Sequence, residues 1–143
     1  MANEMVVATP QMRGKSDVIT NYPIVEGSVI APGTVVMLNS DGYLVKFDGS
    51  NPAVGVAGYL EKDGRQSVVK TGLAVPVLIK EGDAPDIGET IYIDNATGVF
   101  TATSGASATA TKAVVVSAVD TGIDALTLAA VENVVMIDFP GGL

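Results

Sequence analysis

Short runs of β-branched and apolar residues, each closed by Gly, Asp, Asn or Pro, recur along the whole chain. Thr34-Val35-Val36-Met37-Leu38 leads into Asn39-Ser40-Asp41-Gly42 and then Tyr43-Leu44-Val45-Lys46-Phe47. This reads as strand, turn, strand, because an Asp-Gly step supplies the positive φ that a tight hairpin turn prefers. Beyond the loop Asp48–Pro52, the runs Val54–Leu60 and Gln66–Thr71 predict a second hairpin around Lys62-Asp63-Gly64-Arg65. Leu73–Ile79 follows, and Pro76, which lacks an N–H, confines part of that run to a sheet edge or a bulge. Val134–Phe139 is a last strand, ended by Pro140-Gly141-Gly142. Thr101–Thr111 is a small-residue stretch that suits a loop or a weak ribbon. Asp120–Ala130 fits either a short helix capped by Asp124 or a strand, through Leu126 and Leu128. No long helix is expected.

Two further patterns concern organisation. Residues 1–25 hold short extended runs, Met5-Val6-Val7-Ala8 and Val18-Ile19-Thr20, stopped by Pro10, Asn21 and Pro23. Such Pro-broken runs suit edge pairing, so they are read as an extended N-terminal arm ahead of a single β-rich domain over 26–143. Within that domain, Thr34–Met37 with Asn39, Gly42, Tyr43 and Leu44 parallels Thr90–Ile93 with Asn95, Gly98, Val99 and Phe100. Either the halves are a true duplication, or turn chemistry alone places Asn and Gly at matching positions.

Composition narrows the function classes. The chain has 143 residues, 48% of them hydrophobic, which suits one domain with a real core. Its formal net charge is −8, with Arg13 and Lys15 balancing Glu4 and Asp17 in the first 20 residues. An acidic body with a neutral arm argues against nucleic acid or a polybasic membrane contact as partner. The apolar runs Ala113–Val119 and Asn133–Ile137 fall well short of the roughly 18–20 residues needed to span a bilayer. The N-terminus lacks the pattern of a signal peptide, so synthesis in a cytoplasm is expected.

There is no His and no Cys. The chain therefore cannot build a Ser-His-Asp triad, a thiolate nucleophile or a His/Cys zinc site, and no enzyme activity or cofactor is expected. Glu81, Asp83, Asp86 and Glu89 form the densest carboxylate group. They make a weak candidate Ca²⁺ loop, since Ca²⁺ takes six to eight oxygen ligands, but the spacing does not match an EF-hand and a charged turn explains it equally. Asn95-Ala96-Thr97 matches a glycosylation acceptor and equally a hairpin turn.

With its APGTVVMLNSDGYLVKF and IGETIYIDNATGVFTAT hairpins, the chain resembles the capsid decoration (cement) proteins of tailed bacteriophages from about Pro32 to Phe139. The resemblance implies a compact β-barrel or β-tulip body, commonly a homotrimer. Such a protein would sit on the exterior of the virion capsid, bridging neighbouring major capsid protein subunits. It also implies that the arm orders on the shell by strand addition, which points here to Met5, Val6, Val7, Ala8, Val18, Ile19 and Thr20, with Arg13 and Lys15 as local contacts. Deleting residues 2–20 would then leave a folded body unable to bind shells. Two alternatives stand beside this: another virion module of tail or fibre base, and a carbohydrate- or Ca²⁺-binding module using the Glu81–Glu89 loop.

Overall fold

A computed structural model describes residues 5–7, 18–61, 63–124 and 127–143. Among them the chain is all-β and contains no helix. The elements are β1 (Met5–Val6), β2 (Val18–Pro23), β3 (Val35–Leu38), β4 (Leu44–Lys46), β5 (Ala53–Glu61) and β6 (Arg65–Leu78). They continue with β7 (Thr90–Asp94), β8 (Phe100–Thr101), β9 (Ala108–Val115), β10 (Asp120–Ile123) and β11 (Ala130–Phe139). The paired order is β4-β3-β5-β6-β11-β9-β7-β8, with β2 added to β6, β10 to β11 and β1 to β10. This path does not close into a barrel. Its two end strands instead meet the body at single parallel bridges, Ile24 to Leu44 and Ile79 to Phe100.

The long strand β6 joins the halves. Residues up to Thr71 pair with β2 and β5, whereas Gly72–Leu78 pair with β11. The change of partner coincides with Ala74, which has φ 52, and its amide donates to Asp138 Oδ1 at 2.7 Å. Pro76 falls in the stretch paired on one side only, so its missing N–H interrupts no second ladder. The two-sided burial of the central strands explains their unbroken apolar runs. Val35, Met37, Val56 and Val69 face a large cluster with Phe47, Phe100 and Phe139, while Val36, Ala57 and Val68 face a smaller one with Ile24, Ile30 and Leu44.

Each ambiguous segment contributes a strand among the described residues. Asp120–Ile123 pairs with β11, and Asp124 accepts the Thr127 amide at 3.0 Å, so its cap-like role serves a hairpin rather than a helix. The small-residue stretch divides: Ala102–Ser107 is a turn, while Ala108 onward is β9, anchored where Thr111 Oγ1 donates to Ile91 O at 2.6 Å.

Candidate binding surfaces

The N-terminal segments lie on the body. β1 runs parallel to β10, with Met5 opposite Gly122 and Val6 opposite Ile123, and the Val7 amide donates to Ile123 O at 2.9 Å. Val7 itself is a core residue, 1% exposed, packed against Gly33 and Leu78. Its side chain is therefore unavailable to a partner, a correction to its reading as a shell contact. Apolar burial wins it for the interior.

β2 lies antiparallel to β6, with Ile19 opposite Val69 and Thr20 opposite Val68. Arg65 donates to Asn21 O at 2.9 Å, and Lys70 Nζ donates to Tyr22 Oη at 2.9 Å, its charge 5.6 Å from the ring centroid. Truncation of residues 2–20 would remove Val7 and half the β2 ladder, so it cannot be expected to leave the body intact. Among the described residues β1 pairs only with β10 and β2 only with β6, so Met5, Val6, Val18, Ile19 and Thr20 each lie in a strand with one unpaired edge. Ala8, Arg13 and Lys15 lie outside the described residues.

The acidic loop is organised without a cation. Asp83 Oδ2 accepts from Thr101 Oγ1 at 2.6 Å and from the Ala102 amide at 2.8 Å. Glu89 Oε1 accepts the Asp86 amide at 2.7 Å. Among the described residues no three carboxylates converge to hold a metal ion, and Glu81, Asp83, Asp86 and Glu89 are not brought together as ligands. Asn95 and Thr97 are used likewise: Asn95 Oδ1 accepts from Thr109 Oγ1, and Thr97 Oγ1 donates to Asp94 Oδ2. Asp48 has a displaced titration. The Ser50 hydroxyl at 2.6 Å, then the Ser50 amide at 2.9 Å, hold it below the ordinary carboxylate range.

Sequence reasoning missed a surface concavity, an apolar hollow of about 540 Å³. It lies between the loop preceding β3, strand β4 and the turn before β8, with Val25, Val29, Ile30, Val45, Lys46 and Val99 in its wall. Val25 and Val29 are exposed, at 41% and 73%. Gln66 fixes the loop from behind: its buried Nε2 donates to Ile30 O at 3.0 Å and to Gly58 O at 2.8 Å. The available signal was the VEGSVI sequence, where two valines stand in a turn that solvent should make polar.

No protein-family model matches the chain, and no curated protein matches it. Among solved structures it is similar to a chain in the capsid of Myoviridae phage XM1, with a TM-score of 0.71 and 16% identity. The superposition covers 100% of this chain and 94% of the other. At that identity the two share a fold.

Proposed function

We propose that the chain is a structural virion protein of a tailed phage, a non-enzymatic decoration protein that binds major capsid protein subunits on the exterior of the shell. The observation that carries this reading is the full-length match to a chain of the XM1 capsid, since it spans both chains almost entirely rather than one shared motif. The edges of β1 and β2 that are unpaired among the described residues support attachment by strand addition, which satisfies backbone groups on both partners without requiring catalysis. A homotrimer would bridge several coat subunits at once and raise effective concentration at the shell.

The test is electron microscopy of the purified protein mixed with candidate mature shells and, separately, with tails. Added density on the shell exterior, at symmetric positions between coat subunits, is the expected result. Density on tails alone would replace this reading with the tail or fibre-base one. Bare shells at saturating protein, across the phages whose coat proteins are candidates, would sink it.

A further inference from the structure

The pairing scheme occurs twice. β2 pairs the first part of β6 as the last part of β6 pairs β11. β3 pairs β4 and β5 as β7 pairs β8 and β9. β5 pairs β6 as β9 pairs β11. The single bridges match as well, Ile24 to Leu44 and Ile79 to Phe100.

Loop hydrogen bonds agree, and the offset is constant through the loops before β3 and β7. Gly33 donates to Ala57 O and Ala57 to Thr34 O, both at 2.8 Å; Gly88 donates to Val115 O at 2.8 Å and Val115 to Glu89 O at 2.9 Å. Ser28 donates to Val25 O at 2.9 Å as Asp83 donates to Lys80 O at 3.1 Å. The left-handed residues coincide: Gly27 and Gly82 at φ 80 and 86, Gly33 and Gly88 at φ 88 and 97. Ile24 donates to Gly64 O and Ile79 to Asn133 O, each at 2.9 Å, and both acceptors have positive φ. General turn chemistry would reproduce one or two of these features, not the complete set of pairings and loop bonds.

The copies differ in the loops before β3 and β7. In the second unit Asp83 ties its loop to Thr101 and Ala102. The corresponding residues of the first unit are Ser28, Val45 and Lys46, and Ser28 Oγ donates back to Val25 O at 2.7 Å. Without that tie the first loop stands off β4, and the hollow lies beneath it. Val25 and Val29 correspond to Lys80 and Ala84, so the shared scaffold does not require valine there. In the second loop the departure is Ile87, 68% exposed, where the first unit has buried Pro32. Ile87 is flanked by exposed Asp86 and Glu89, whereas Lys46, also exposed, stands in the wall of the hollow.

We propose that the chain is two copies of one five-strand unit, and that the two divergent loops join one chain to a second copy, Ile87 of one entering the hollow of the next. The acidic flanks of Ile87 meet Lys46, a local complement that a chain of net charge −8 needs for self-association. Knob and hollow lie in different halves, so the contact is head-to-tail, and it closes a ring where the rotation allows. The inference deepens the proposed oligomeric role and names its interface.

The experiment is sedimentation velocity on the full chain across a concentration series. The variants are Ile87→Asp and a loop set carrying the second unit's residues, Val25→Lys, Ser28→Asp, Val29→Ala and Val45→Thr. Circular dichroism checks that each is folded. Wild type is expected to sediment as an oligomer and both variants as monomers. Lys46→Glu should weaken association about tenfold, and adding Asp86→Lys should recover most of it; that recovery cannot come from misfolding. A monomeric wild type, or an oligomer that Ile87→Asp and the loop set leave intact, overturns the proposal. A protein that oligomerises this way yet ignores shells overturns only the virion reading. A monomer that still coats shells overturns only this contact.

Discussion

Gly33 is where the N-terminal strand is locked to the body, and replacing it with alanine tests that lock. Gly33 has φ 88, a region costing an L-residue about 1–2 kcal/mol. An added Cβ would also run into Val7 Cγ1 and come within 3.1 Å of Leu78 Cγ and of the Leu78 amide. Overpacking of that kind costs about 1–3 kcal/mol. Gly33→Ala is therefore expected to lose about 2–5 kcal/mol in urea denaturation, a large share of the roughly 5–15 kcal/mol of a typical domain. Val7→Ala alone removes two buried methyl groups, at about 1.5–2.5 kcal/mol. It also removes the atom nearest the new Cβ, so the double variant should cost about 1–2 kcal/mol less than the two singles added. Hydrogen exchange localises the effect. The Val7 amide, bonded to Ile123 O, should lose protection in Gly33→Ala, while the Ala57 amide, bonded to Thr34 O, keeps it. Additive costs, or a Val7 amide as protected as before, would refute the docking of this segment.

Four other outcomes follow from the same contacts. Asp138→Ala should cost about 1–3 kcal/mol by chemical denaturation, because it leaves the part-buried Ala74 amide unpaired at the bend of β6. Gln66→Leu should cost a similar 1–3 kcal/mol, since Ile30 O and Gly58 O both lose their donor, and should speed amide exchange in the loop over the hollow. Millimolar Ca²⁺ should leave the melting temperature unchanged, because Asp83 and Glu89 already accept donors from the protein; a clear upward shift would reinstate the cation loop. Asp48 should titrate by NMR below the ordinary Asp value of about 3.9, and Ser50→Ala should return it upward. The sign follows from its depressed folded pKa: this contribution is full above the unfolded pKa and disappears as pH falls through the folded one.

The hairpins were legible because Asp-Gly turns combine with apolar runs, and β3, β4, β5 and β6 lie where those signals put them. The correspondence between halves was legible only in part. Matching Thr34 with Thr90 is one residue out, since hydrogen bonds pair Thr34 with Glu89. The extra residue sits in the second turn, closed from the Asp94 amide to Val99 O, where the first closes from Asn39 to Tyr43 O. The register before that turn was hidden because the loops share little beyond Glu-Gly and a later glycine. Their equivalence rests on backbone bonds, which many sequences satisfy. The partner of the N-terminal strands was hidden for a related reason. Short Pro-broken runs do mark edge pairing, but the edges that β1 and β2 reach belong to β10 and β6 of the same chain. A sequence does not say whose edge a strand will find.

That placement changes the energetics of any partner contact along β1 and β2. A free arm that orders on a surface costs about 1–2 kcal/mol of backbone entropy for each residue fixed, and the interface must offset all of it. Strands already held by Val7, Arg65 and Lys70 meet that cost on folding instead. Their edges, unpaired among the described residues, are then preorganised, and each added backbone bond contributes to affinity nearly undiminished. The expected signature is binding with little ordering penalty, and hence a small heat-capacity change for the area covered. It also makes affinity sensitive to the body's own stability, because whatever detaches β1, as Gly33→Ala should, also dismantles the edge. A Gly33→Ala protein that remains folded should thus lose partner binding along with Val7 protection. Retained binding after β1 has come away would show that attachment runs through other surfaces.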